Sequence, residues 1–136
     1  MKISEKGRYA PPPRLPRFAQ QVSEGVGAQA KVEARTHWRL GNEEVIDGAD
    51  FYLGEEELGH LHLDAEAHVA QTKAVRDALV ASGLAQPFRW SPHFVTAPVE
   101  SPSDVKHVMW LFDLRRRQLE GVPVSQLLKE ISQARS

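Results

Sequence analysis

Residues 57–64 read ELGHLHLD, and the fold depends on whether this stretch is strand or helix. Leucine and histidine alternate from His60 to Leu63, the two-residue period of a half-buried strand and not the 3.6-residue period of a helix. On a regular strand Leu58, His60, His62 and Asp64 share one face, and Gly59, Leu61, Leu63 and Ala65 share the other. The two imidazoles therefore leave the chain on the same side.

Working outward, residues 41–56 carry turn signals at Gly41-Asn42, Asp47-Gly48 and Gly54-Glu55. These divide EEVI, DFYL and ELGHLHLD into a meander of antiparallel strands. Upstream, KVEARTHWRL (31–40) alternates Val32, Ala34, Thr36 and Trp38 against Lys31, Glu33, Arg35 and His37, and is read as the first strand. Downstream, EAHVA (66–70) extends the histidine strand or opens the next element. Pro87, Pro92 and Pro98 surround FRW and HFVTA, which suits two short, edge-like strands.

Helices frame this sheet. Leu15, Phe18, Val22 and Val26 are spaced for a first helix, and Thr72 to Ser82 for a second with Thr72 as N-cap and Gly83 just past its end. SPSD (101–104) resembles a capping box with Pro102 at the first helical position. The helix it opens has Val105, Val108, Met109, Phe112 and Leu119 on its core stripe, widened by Trp110, Leu111 and Leu114. Arg115, Arg116 and Arg117 fall in its last turns, where cations complement the helix dipole. After Gly121 and Pro123, Val124, Leu127, Leu128 and Ile131 make the stripe of a last helix, packed on the domain or on a second copy as a homodimer. The expected fold is α+β: an antiparallel sheet of about five strands packed by helices, with a C-terminal helical pair. Residues 1–13 form a proline-rich tail and residues 14–136 a single domain.

The composition excludes several classes. With 17 Lys and Arg against 18 Asp and Glu, the net charge is −1, so no nucleic-acid or membrane partner is expected. The chain has no cysteine, which removes disulfides, thiolate metal sites and cysteine nucleophiles. No run approaches the roughly 20 apolar residues of a membrane span and no signal-peptide core is present, so a cytoplasmic protein is expected. Nucleophile elbows, P-loops and dinucleotide fingerprints are missing as well.

Taken together, FYLGEEELGHLHLD, the later AVRDALVASGLAQP and SPSDVKHVMWLFDLRRRQ resemble the luciferase-domain family over roughly residues 31–118. The most specific words are LGHLH at 58–62 and VRDALVASGLA at 75–85. The resemblance implies a bacterial member without an assigned activity, related to fungal luciferases that oxidise a hydroxylated α-pyrone with molecular oxygen. By that analogy a histidine would deprotonate an acidic hydroxyl, with no metal or flavin required.

Three readings of the histidines stand. They could be half-buried and hydrogen-bonded across the sheet. They could line a small-ligand pocket, with His60 and His62 as the catalytic pair and Trp38, Phe51, Tyr52 and Trp90 as aromatic walls for an aromatic hydroxy-compound. They could also bind a metal, since side chains two residues apart lie about 6.6 Å apart, whereas Asp64 is ~13 Å from His60. A third ligand would have to come from His37, Glu57, His68 or His93 on other segments. Two ligands alone do not hold a metal tightly, so neither a metal nor another cofactor is expected. The alternative to a ligand site is a non-catalytic interaction module using the tail and the C-terminal helices.

Overall fold

The computed structural model describes residues 2–135. A six-stranded antiparallel sheet is built from β1 (Val32–Arg39), β2 (Asn42–Leu53), β3 (Glu56–His62), β4 (Glu66–Ala70), β5 (Gln86–Pro87) and β6 (Phe94–Pro98), in the order β1-β2-β3-β4-β6-β5. The helices are α1 (Arg17–Gly27), α2 (Lys73–Ala81), α3 (Pro102–Leu119) and α4 (Val124–Arg135). The expected α+β class and C-terminal helical pair are both present. Among the described residues no helix is long and apolar enough to cross a membrane.

The turn expected at Asp47-Gly48 is corrected. β2 runs unbroken from Asn42 to Leu53, because Gly48 is paired with His37 on one side and His62 on the other. An Asp-Gly pair favours a turn when only local preferences act, but here the backbone groups of both neighbouring strands satisfy it in extended form. Gly48 also sits where backbones crowd: a Cβ there would stand 1.8 Å from the Leu61 carbonyl oxygen.

A second correction concerns face assignment in β3. Phe51 pairs with Gly59 but Tyr52 pairs with Glu57, so Leu58 is an extra residue opposite no partner. This bulge resets the alternation. Leu58 is fully buried in the hydrophobic core, contrary to its assignment to the histidine face. Glu57, which strict alternation would place with Gly59 and Leu61, instead reaches His60.

The core lies between the opposite sheet face and the helices. Ala49, Phe51, Leu58, Leu61, Val69 and Val95 meet Val22 and Val26 of α1, Val75 and Leu79 of α2, and Val108, Leu111 and Phe112 of α3. Phe112 packs edge-on to Phe51, with ring centroids 5.7 Å apart. Gly59 lets that ring come close, since a Cβ there would stand 2.9 Å from Phe112 Cε1 and 2.6 Å from the His68 carbonyl oxygen. Leu127 and Ile131 of α4 join the same core. At the start of α3, Ser101 Oγ accepts from the Asp104 amide. Asp104 Oδ2 accepts from Glu100 N rather than from the cap residue itself, so the capping box closes one residue early.

The proline-rich tail covers β1, an edge strand. Thr36 donates its amide to the Ala10 carbonyl and its hydroxyl to that of Pro11, and Trp38 Nε1 donates to the Arg8 carbonyl. The first of these bonds occupies a backbone amide that an edge strand would otherwise leave open to another chain.

Candidate functional site

Sheet register assembles the site. One row across the strands reads Arg35, Asp50, His60, His68 and Thr96, and the next includes His37, Gly48 and His62. Four of the chain's six histidines thus come from β1, β3 and β4 onto one patch of one face. Gly48 puts no side chain between His37 and His62, whose ring centroids are 5.2 Å apart. His37 stacks on His60 at 4.2 Å, with the planes 10° apart. His62 and His68 are 4.3 Å apart, and His60 and His68 5.0 Å.

Carboxylates surround the imidazoles. His60 Nδ1 is 2.7 Å from Glu57 Oε2, and His68 Nε2 is 2.6 Å from Glu66 Oε1. His62 Nδ1 lies 3.2 Å from Asp47 Oδ2. His37 Nδ1 approaches Asp50 Oδ1 to 2.7 Å without the alignment of a hydrogen bond. Asp50 and Glu57 are both 1% exposed, and Lys6 from the tail stands 3.7 and 3.6 Å from their oxygens. Arg115 Nε donates to the Glu57 carbonyl.

Burial sets the ionisation of these groups. It holds His60 well below the ordinary imidazole value and outweighs the opposing pull of Glu57. His62 is lowered first by burial and then by the neighbouring His68 and His37. Burial opposes ionisation of Glu57, but the hydrogen bond and charge of His60, with Lys6, outweigh it and keep the carboxyl low. Tyr52 is pushed the other way, by burial and then by Asp50 and Glu57, so its hydroxyl keeps its proton. Glu57 is thus an ionised acceptor, and His60 is a neutral ring with Nδ1–H directed at it.

Over this patch lies an open cleft of about 1180 Å³. His37, His60, His62 and His68 line it together with Phe88, Trp90 and Phe94. Phe88 lies 4.8 Å from the His68 ring, and Phe94 5.9 Å from that of His60. Of the residues expected at a site, His60, His62 and Trp90 are brought together here. Trp38 instead packs under Arg8 of the tail, Phe51 is in the helix-side core, and Tyr52 is buried outside the cleft lining. His37, Glu57, His68 and His93, named as partners from other segments, all line the cleft.

Lys6, Asp47 and Arg115 also line the cleft, and no spacing rule singled them out. The helix dipole alone does not account for Arg115. In the fold it reaches the β3 bulge, whereas Arg116 pairs with Glu120 and Arg117 with Asp113 and Glu130. Among the described residues two groups have metal-ligand spacing, with one ligand atom per residue within 4.8 Å of the others: His37, His60 and His62, and Asp50, Glu57 and His60. In the second, Lys6 already provides the countercharge.

Residues 55–115 match the family model of the luciferase domain. The chain carries a luciferase-domain segment. The matched segment runs from the start of β3 into α3, narrower than the stretch over which the sequence words resemble the family. It contains His60, His62, His68, the Phe88–Phe94 segment and Arg115, while His37, Asp47 and Asp50 lie outside it. The luciferase domain therefore supplies most of the cleft, and β1 and β2 complete the histidine patch. Comparison with the curated proteins and with the solved structures gives no match.

Proposed function

We propose that the cleft binds a small aromatic hydroxy-compound, with its hydroxyl at His60 and His62 and its ring against Phe88, Trp90 and Phe94. The observation that carries this reading is the pairing, in one cleft of small-molecule size, of neutral imidazoles with an apolar aromatic wall. His60 gives its Nδ1–H to Glu57, which leaves Nε2 as an acceptor. His62 Nε2 is buried without a hydrogen-bond partner, a deficit that a ligand hydroxyl would remove. Less supports an interaction module: the apolar residues Leu111, Phe112 and Leu114 of α3 and Leu127 and Ile131 of α4 are spent within the domain.

Calorimetric titration of tag-free protein with 4-hydroxy-2-pyrones and phenols tests this. Saturable binding is expected, weakened about tenfold when the hydroxyl is replaced by a methyl ether, because a buried acceptor left unpaired costs ~1–3 kcal/mol. Equal affinity for hydroxyl and ether, or no binding by any member of the class, would remove the proposal.

A further inference from the structure

The facing nitrogens of His60 and His68 present a difficulty that goes beyond ligand binding. His60 directs Nδ1 at Glu57, and His68 directs Nε2 at Glu66. Carboxylates only accept, so each of those nitrogens carries the ring proton. The remaining atoms, His60 Nε2 and His68 Nδ1, are then two lone pairs facing each other at 3.3 Å. Such a contact is repulsive unless a positive charge lies on or between the rings. A four-coordinate metal with metal–nitrogen bonds of 2.0–2.1 Å needs its ligand nitrogens roughly 3.3–3.4 Å apart, and this pair already has that separation.

From these contacts we infer that His37, His60, His62 and His68 form an all-imidazole site for a divalent transition metal of the zinc class. Spacing along β3 offers two ligands, and the register of β1 and β4 brings the others. One ring nitrogen each from His37, His60 and His62 lies within 4.8 Å of the others. Contracting a triangle of that size to ~3.4 Å sides asks each of these three nitrogens to move by up to about 0.8 Å, within reach of small side-chain rotations, whereas His68 joins no such group and has to turn further toward His37 and His62. His62 Nε2, buried and unpartnered, gains a ligand bond.

The outer groups suit this role. Metal-bound histidines give their other nitrogen to a carboxylate, which orients the ring and raises its basicity. Glu57 and Glu66 do this for His60 and His68, and Asp47 lies at 3.2 Å for His62. Four carboxylates, Asp47, Asp50, Glu57 and Glu66, stand around the imidazoles against Lys6 and Arg115, while Arg35, next to Asp50 in the row, is paired with Glu33. This leaves a surplus of negative charge for a dication. Imidazole-only donors favour zinc, copper, nickel or cobalt over magnesium or calcium. The stacked His37 is the most displaceable ligand, because its carboxylate contact is not aligned. An open position there would take the hydroxyl oxygen of the ligand, a step that rests on the reading of the cleft given above.

The test uses full-length protein without an affinity tag, stripped with chelator and titrated with zinc, and with cobalt for its visible spectrum. One zinc per chain is expected, with the ligand-field bands of a four-coordinate nitrogen site in the cobalt form. Affinity should fall by on the order of 100-fold or more in His60→Ala, His62→Ala and stay unchanged in His107→Ala. In wild-type protein, which needs no variant to fold, zinc should move the ring-nitrogen resonances of His37, His60, His62 and His68 and leave those of His93 and His107 in place. Weak or substoichiometric binding, unaltered affinity in the double variant, or shifts confined to His93 or His107 would overturn the inference and assign the positive charge to a protonated His68. A hydroxy-compound that still binds the stripped protein would leave the cleft reading standing when the metal fails.

Discussion

Glu57→Gln keeps the shape of the side chain and removes only its charge, so it isolates what the buried carboxylate does. Glu57 is 1% exposed, accepts from His60 at 2.7 Å and has the Lys6 ammonium at 3.6 Å. A hydrogen bond to a charged group contributes about 1.5–3 kcal/mol. Lys6 keeps its second carboxylate, Asp50, at 3.7 Å, so the loss there is partial and adds under ~1 kcal/mol at the effective dielectric of a partly buried pair. The expected destabilisation is ~2–4 kcal/mol, rising to ~3–5 for Glu57→Leu, which leaves the buried donor and cation with no polar partner at that position. Arg115 binds the backbone carbonyl of Glu57 and should be unaffected by either change. Urea titration at neutral pH, followed by tryptophan fluorescence, measures this. A Glu57→Gln protein within ~0.5 kcal/mol of wild type, or more stable, would refute the argument that an ionised carboxylate holds the His60 ring.

Three other outcomes follow from the packing. Phe112→Ala should cost ~3–5 kcal/mol, since the ring is fully enclosed by Phe51 and the Gly59 backbone, whereas Arg116→Ala, on an exposed pair with Glu120, should cost under ~1 in the same titration. Gly48→Ala should lower stability by more than ~2 kcal/mol and broaden the imidazole resonances, because the clash is with backbone and no rotamer relieves it. Trp90→Ala, at 72% exposure, should leave stability within ~0.5 kcal/mol while weakening binding of an aromatic hydroxy-compound in calorimetry.

The strands and helices were legible where a period governs them. Alternation from His60 to His62 and the apolar spacing of Val108 and Phe112 each mark a buried face found in the core or on the patch, whereas Leu63, one residue past the end of β3, is exposed. What was not legible depends on partners distant in sequence. The bulge at Leu58 exists only relative to Tyr52 and Phe51 of β2, so no local pattern could place Glu57 beside His60. Gly48 continues a strand because β1 and β3 both pair with it. Phe51 and Tyr52 are large and apolar enough for a pocket wall, but which sheet face the helices cover decides that Phe51 is core. Phe88 to Trp90 read as a short edge-like strand, but β5 ends at Pro87, and their role as the aromatic wall emerges only when the β5–β6 connection lies over the histidines. His37 was visible as one polar residue of an alternating strand, and only the register brings it onto His60.

The central claim, that the histidine face of the sheet is a small-ligand site, is tested most directly by an NMR titration with an aromatic hydroxy-compound. The titration would follow the ring signals of His60 and His62, the indole of Trp90 and the amides of Arg115, Arg116 and Arg117. Saturable shifts at His60, His62 and Trp90 with a common dissociation constant are predicted. Shifts confined to Arg116 and Arg117, or none at the imidazoles at any ligand concentration, would contradict it.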